Sequence, residues 1–341
     1  MYKHIISVIL LASFLLTPVH AQRAVQWRIA ETWSKDFPIF GDSVKTMIRY
    51  VDELSQGQFK IKSVTKETHK KAFGIFDLVK DGEYQMGHTA SYYYKGQDIN
   101  TLFFTTLPMG MIAIEQYAWF YHGGGLELME KTYKKHGLLS FPGGNTTNQM
   151  GGWFRKEIKT LDDLKGLKMR IPGLAGDVMK SLGVEVVNIP PGDLFSALQS
   201  GDLDALEWVG PSLDLEMCFQ KVAPYYTGWH EPGTELNFIV SLKAYQELPS
   251  HFQKILKTAM RLAAYEMYVQ SYHLSSENFS QMQQEFPNVE VRAFPRKVYR
   301  ELIKVTNKKL DEIAASGDES TKEILDSIRD YQKSSFMDSF F

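Results

Sequence analysis

Cysteine is almost absent from this 341-residue chain: only Cys218 occurs, so no disulfide can close within the molecule and no Cys/His zinc pattern is available. An excess of one charge is missing as well. With 38 Lys and Arg against 40 Asp and Glu the formal net charge is −2, and nothing in that balance suggests a polyanionic partner such as nucleic acid. Beyond the N-terminus no run reaches the roughly 18 apolar residues that a membrane helix needs. Internal repeats and low-complexity linkers are lacking, which argues against domains strung on flexible tethers. Catalytic signatures are missing too. No G-x-G-x-x-G follows a strand, and no Walker A, G-x-S-x-G or H-E-x-x-H sequence occurs. Gly123-Gly124-Gly125 lacks the following Lys-Ser/Thr of a phosphate loop and reads as a loop or a close helix approach. Cys218, between Met217 and Phe219, reads as a small buried hydrophobe rather than a nucleophile. No nucleophile–base pair stands out among the scattered histidines.

What remains is a long, ordinary, exported-looking chain. Its length suits two lobes of normal domain size, and 44% hydrophobic with 23% charged residues is a soluble globular composition. Met1, Lys3 and His4 form a short basic start, Ile5 to Leu16 is apolar, and Val19-His20-Ala21 gives a small-x-small cleavage pattern before Gln22. That is the anatomy of a cleavable signal peptide over residues 1–21. No cysteine stands near Ala21, so the pattern does not favour a lipid anchor. Without disulfides, the exported chain must rely on its core, which two large lobes can supply.

The periodicity is that of an α/β protein. Val25 to Ala30 alternates as a strand, Ile39 to Leu54 has helical spacing up to Gly57, and Phe59 to Val64 alternates again, a β-α-β opening that seeds a parallel sheet. Gly137 to Phe141 reads as a strand running into a turn over Pro142 to Thr147. From Met150 to Val209 short strands and helices alternate, punctuated by Gly173, Gly183, Gly201 and Gly210, which indicates a second α/β lobe. Ile239 to Ser241 reads as a return strand. From Tyr245 onward the pattern is mainly helical, with one long stretch over His251 to Ser276 that is apolar on more than one face and leaves room for a homodimer.

Four segments carry chemistry at predicted strand ends, where open α/β sheets place ligands. In Lys168-Met169-Arg170-Ile171-Pro172-Gly173 a lone Arg lies in an apolar strand, where it is costly to bury unpaired. Its fork matches a carboxylate, from an internal acid or from a ligand. Leu206-Glu207-Trp208-Val209-Gly210-Pro211 and Gly228-Trp229-His230-Glu231-Pro232-Gly233 each place a carboxylate beside an indole. Two acids around a carboxylate site would repel the ligand unless a cation lies between them, and Glu and amide oxygens suit Ca²⁺, Na⁺ or Mg²⁺. The alternative is that these acids neutralise Arg170 or cap helices. Asn148 to Phe154 offers Gln149 as an amide ligand or donor, and Ser91 to Tyr94 offers a tyrosine wall.

In this order the segments resemble the solute-binding proteins of tripartite ATP-independent periplasmic (TRAP) transporters, a DctP-like family. The resemblance runs from Trp27 to about Val305, and its most specific pieces are Gln149 to Lys156, Leu164 to Leu174, Ala197 to Pro211 and Gly228 to Gly233. It implies a two-lobed, type II-like periplasmic-binding-protein fold with mixed sheets, hinge crossings and a long C-terminal helix spanning both lobes. The expected division is lobe I over 22–147 with a return at about 237–290, lobe II over 148–236, and a helical region over 245–341 across both. The resemblance further implies a periplasmic receptor, not an enzyme, which hands a 2-oxo or 2-hydroxy monocarboxylate such as pyruvate or lactate to a membrane permease. Arg170 would bind the carboxylate. Gln149, Glu207, the Trp208 carbonyl and Glu231 would hold Ca²⁺ or Na⁺ bridging the ligand, with Asn148, Tyr93 and Tyr94 completing the pocket. One departure concerns the loop Glu67 to Ala72, where the family usually has a Gly/acidic sequence; Lys70-Lys71 there reads as solvated. An exported enzyme acting on a small acid and a sensory receptor are the rival readings.

Overall fold

The computed structural model describes residues 24–34, 36–189 and 191–334; the predicted signal peptide lies outside the described residues. Among the described residues eleven strands form two sheets. The first has the order β2-β1-β3-β10-β4, from β1 (Val25–Glu31), β2 (Phe59–Val64), β3 (Met86–Thr89), β4 (Leu138–Asn145) and β10 (Glu235–Ser241). The second has the order β11-β9-β5-β8-β6-β7, from β5 (Gly152–Phe154), β6 (Lys168–Arg170), β7 (Glu185–Val187), β8 (Ala205–Leu206), β9 (Tyr225–Gly228) and β11 (Glu290–Ala293).

The β-α-β opening is parallel as expected, with Trp27 opposite Ile61 and the helix Phe40–Leu54 between the strands. That helix buries Val44, Met47 and Val51 against Trp27, Phe59 and Phe252. Both sheets are mixed: β10 runs antiparallel to β3 and β4, and β5 runs antiparallel to β8 and β9.

Local sequence expectations change around the two lobes. Pro142 to Asn145 is strand rather than turn, because β10 pairs along it through a bulge and the buried Glu235 carboxylate accepts the Gly143 and Gly144 N–H groups at 3.1 and 3.0 Å. Cys218 is half-buried in a left-handed turn (φ 62°) rather than packed away in a core.

The chain passes between the lobes three times in ways that bear on the site. The segments Thr146–Gly151 and Trp229–Thr234 cross side by side, bonded to each other through Thr146 N–H to Thr234 O at 3.0 Å, Thr234 N–H to Thr146 Oγ1 at 2.8 Å, and Gln149 N–H to Glu231 O at 3.1 Å. The third crossing is the 36-residue helix Ser250–Glu285. It packs on the helix Phe40–Leu54 and β4 at one end and on the turn Pro211–Asp214 at the other. It outlasts the predicted stretch because Met282 is buried in the second lobe and Asn278 Nδ2 donates to Ser212 O at 3.0 Å. The helix Arg296–Ser316 then packs on Gly173–Ser181 of the second lobe, and Glu319–Lys333 returns to the first.

Gly233 shows how close the paired crossings run. Its φ is +120°, and a Cβ there would lie 2.3 Å from Thr147 O and 2.7 Å from Asn145 Oδ1. Strained backbone and a clash with main chain each cost on the order of 1–3 kcal/mol. Gly233→Ala is therefore expected to lower the denaturant midpoint by the equivalent of about 2 kcal/mol or more, and an unchanged midpoint would show that the crossing relaxes freely.

Candidate functional site

Parallel pairing of β6 with β8 sets Arg170 opposite Leu206, and Glu207 N–H donates to Arg170 O at 2.9 Å. The two side chains therefore leave neighbouring strand ends into one space. Arg170 Nη1 donates to Glu207 O at 2.6 Å and lies 3.4 Å from Glu207 Oε2. Its Nε and Nη2 are buried and have no hydrogen-bond partner among the described residues. Glu231 arrives from the paired crossing, fixed by the Gln149 main chain and by Trp229 Nε1, which donates to Glu231 Oε2 at 2.9 Å. Gln149 Oε1 accepts from Thr234 Oγ1 at 2.9 Å and keeps a second lone pair. Met150 N–H to Val209 O at 2.9 Å ties this crossing to the strand end that carries Glu207.

The space is sealed: Arg170 is 1%, Glu207 3%, Glu231 3% and Gln149 6% exposed. Trp208 lies with its ring centroid 5.4 Å from the Arg170 guanidinium carbon. Phe37 and Phe40 of the first lobe pack on Trp208 at 5.8 and 6.3 Å between ring centroids. Tyr92 and Tyr93 follow β3 and face Arg170 and Glu207 from the first lobe. Beside the sealed space a cleft of about 270 Å³ is lined by Tyr92, Tyr93 and Lys95 on one lip and Ile171, Gly173 and Asp177 on the other.

Burial dominates the electrostatics. It raises the Glu207 carboxyl well above its ordinary value, the neighbouring Glu231 raises it further, and Arg170 only partly opposes this. Burial likewise pushes Glu231 up to about 8 against the Trp229 hydrogen bond and Arg170. Two buried acids and one guanidinium leave the space short of positive charge when all are ionised, and a ligand carboxylate would deepen the deficit. Among the described residues no group of three or more His, Cys, Asp or Glu could hold a metal. The donors here are two carboxylates with amide and carbonyl oxygens, an all-oxygen set that fits a hard cation such as Ca²⁺ or Na⁺. The unpartnered Nε and Nη2 of Arg170 fit a carboxylate in two parallel bonds.

Of the residues expected from sequence, Arg170, Gln149, Glu207, Trp208, Glu231 and Tyr93 are brought together. Two are placed elsewhere. Asn148 is exposed and lines a groove with Tyr272, Ser275 and Phe279. Tyr94 turns into the first-lobe core, its hydroxyl 2.6 Å from Thr89 Oγ1 and its ring 5.1 Å from Phe76. In a turn that follows a strand, neighbouring tyrosines face different ways, and Tyr92 takes the place expected for Tyr94. The reading from sequence also passed over Phe37, in a loop, and Phe40, at the start of the first helix. It missed Asp214 too, a buried carboxylate that accepts from Trp153 Nε1 (3.0 Å), Tyr226 Oη (2.9 Å), Val209 N (3.1 Å) and Gly210 N (3.0 Å) and so fixes the Glu207–Gly210 loop.

Two sheets joined by paired crossings enclose a sealed space that holds one guanidinium and two carboxylates. The chain belongs to the DctP family, Bacterial extracellular solute-binding protein, family 7, whose sequence profile matches residues 29–316. The family is one of solute-binding receptors. The chain is 45% identical over 237 residues, 69% of its own length, to the monocarboxylate 2-oxoacid-binding periplasmic protein of Nostoc sp., of which the match spans 65%. Among solved structures it resembles a TRAP periplasmic solute-binding protein from Colwellia psychrerythraea with bound calcium and pyruvate (56% identity, TM-score 0.89, 91% of this chain and 94% of that one). It resembles equally one from Pseudoalteromonas atlantica with bound sodium and pyruvate (57% identity, TM-score 0.89, the same 91% and 94%). No described helix is long and apolar enough to cross a membrane.

The raised carboxyls have a pH consequence. Glu231 titrates near 8 when folded against an ordinary 4.5, so the folded chain holds this proton more tightly than the unfolded chain. Its contribution to stability is complete below about 4.5 and is lost as pH rises toward about 8. The melting temperature of the cation-free, ligand-free protein is expected to fall across that window, and Glu231→Gln is expected to flatten the fall. A parallel slope in wild type and variant would remove Glu231 as its source.

Proposed function

We propose that the chain is the periplasmic receptor of a TRAP transporter and that it carries a 2-oxo or 2-hydroxy monocarboxylate, pyruvate foremost, to the membrane permease. The observation that supports this most directly is the buried Arg170 fork, with Nε and Nη2 unpartnered beside two acids. In this reading Arg170 receives the ligand carboxylate, and Glu207, Glu231, Gln149 and the Trp208 carbonyl hold a bridging Ca²⁺ or Na⁺. A bound cation supplies the positive charge that lets both glutamates stay ionised beside an anionic ligand. The names and ligands of the relatives support the 2-oxo acid class.

Trp229 and Thr234 orient Glu231 and Gln149, Asp214 fixes the loop of Glu207 and Trp208, and Tyr92 and Tyr93 close the space from the first lobe. Asn148 and Tyr94 have no direct part in this arrangement. Capture requires only that the ligand bind the closed form better than the open one. No covalent step is needed, so the protein acts as a receptor rather than an enzyme. The row Leu262, Tyr265, Val269 and Tyr272, exposed and spaced three and four apart on the long helix, supports a homodimer through that face. Replacing Tyr265 and Tyr272 by Ser is expected to leave only monomer in sedimentation, and a native chain that is already monomeric would remove the dimer.

The direct test is a thermal-shift series on the mature protein with pyruvate, in calcium, in sodium, and with chelator in a choline buffer. Pyruvate is expected to raise the melting temperature only when a cation is present, and Arg170→Ala is expected to abolish the shift while keeping the native circular dichroism. Binding that survives both the loss of cation and Arg170→Ala would overturn the site, and turnover of pyruvate would restore the enzyme reading.

A further inference from the structure

The two lips of the cleft are joined by a contact that lies outside the Arg170 site. Lys95 directly follows the turn Ser91–Tyr94 after β3, so it rides on the first lobe. Asp177 sits in the helix Gly173–Ser181, which begins just past Arg170, so it rides on the second lobe. Lys95 Nζ donates to both Asp177 oxygens, at 2.8 and 2.7 Å, and lies 3.3 Å from Gly173 O. Gly173 and Asp177 are four apart on one helix face. The Tyr92 side chain lies against Gly173, 3.5 Å from where a Cβ would stand. Neither Lys95 nor Asp177 has another ion-pair partner among the described residues.

We propose that Lys95 and Asp177 form a closure latch, a positioning pair that touches neither ligand nor cation and sets how long the closed receptor holds its cargo. The inference rests on the receptor reading above. Its two halves belong to different lobes, so the contact stabilises the closed form alone and is lost on opening, and any such contact shifts the equilibrium toward closure. The helix bearing Asp177 is joined to Arg170 through Ile171 and Pro172 only. Engagement of a carboxylate by Arg170 and seating of Asp177 on Lys95 are therefore mechanically linked. Both side chains are partly exposed, at 35% and 39%, which limits such a pair to a modest effect and makes it sensitive to salt.

The test is stopped-flow kinetics of pyruvate binding to the mature chain in saturating Ca²⁺. Lys95→Met and Asp177→Asn are each expected to raise koff about two- to fivefold with kon unchanged, and the double variant is expected to dissociate no faster than either single. Lys95→Asp, which sets two carboxylates across the seam, is expected to raise koff roughly tenfold, and adding Asp177→Lys is expected to return it to within about twofold of native. High salt is expected to speed release from the native chain and not from Lys95→Met. The ligand-free melting temperature is expected to stay within about 1 °C throughout, which a merely structural pair would not allow. Native koff in the single variants, additive effects in the double, or failure of the charge swap to rescue would each refute the latch while leaving the receptor intact. A native chain that does not bind pyruvate would remove the receptor reading and the latch with it.

Discussion

A guanidinium and two carboxylates share one water-excluded space between the lobes, and much of the site's architecture answers to that fact. Burying Glu207 and Glu231 together is unfavourable twice over, through desolvation and through mutual repulsion. Arg170 meets part of the deficit, but its best contact is the Glu207 main-chain oxygen rather than either carboxylate. Two of its three guanidinium nitrogens, Nε and Nη2, are left without a partner among the described residues. An interior of this kind is poorly satisfied without guests, and the same poor satisfaction makes it selective for them. In the proposed reading, a ligand without a carboxylate leaves the fork unpaired, and a missing cation leaves the acids opposed.

The surrounding scaffold holds these groups in place. Gln149 and Glu231 belong to paired main-chain crossings rather than to free loops, and Glu207 extends a strand end pinned by Asp214. Trp208, Phe37 and Phe40 interlock across the lobe boundary and keep water out. Low dielectric then strengthens each charge interaction in the site.

Much of this was legible in the sequence. A lone arginine in an apolar strand and two acids beside indoles, each followed by Gly or Pro, are local signals, and the residues that bear them converge. What was not legible depends on partners distant in the chain. Pro142-Gly143-Gly144-Asn145 has turn composition and becomes strand only because Glu235, about ninety residues on, accepts two of its N–H groups. Tyr94 and Tyr92 are indistinguishable as letters in a run, and the direction each faces is set by Thr89 and Phe76 on one side and by the second lobe on the other. Phe37 lies in a loop whose pattern says nothing of the lobe it will meet. The last turns of the long helix lack apolar periodicity and are held by the second lobe.

The helix Ser250–Glu285 runs past both lobes without a proline or glycine inside it, and Pro249 and Pro287 stand just beyond its two ends. A continuous helix of about 50 Å with no proline or glycine inside it has no kink-prone joint along its length. Opening must therefore be taken up by gentle elastic bending of the rod or by swivelling at those proline-marked ends. The fold is built like a clasp with a spring along its spine, in which separation of the lobes draws on the stiffness of one helix rather than on the disorder of a loop.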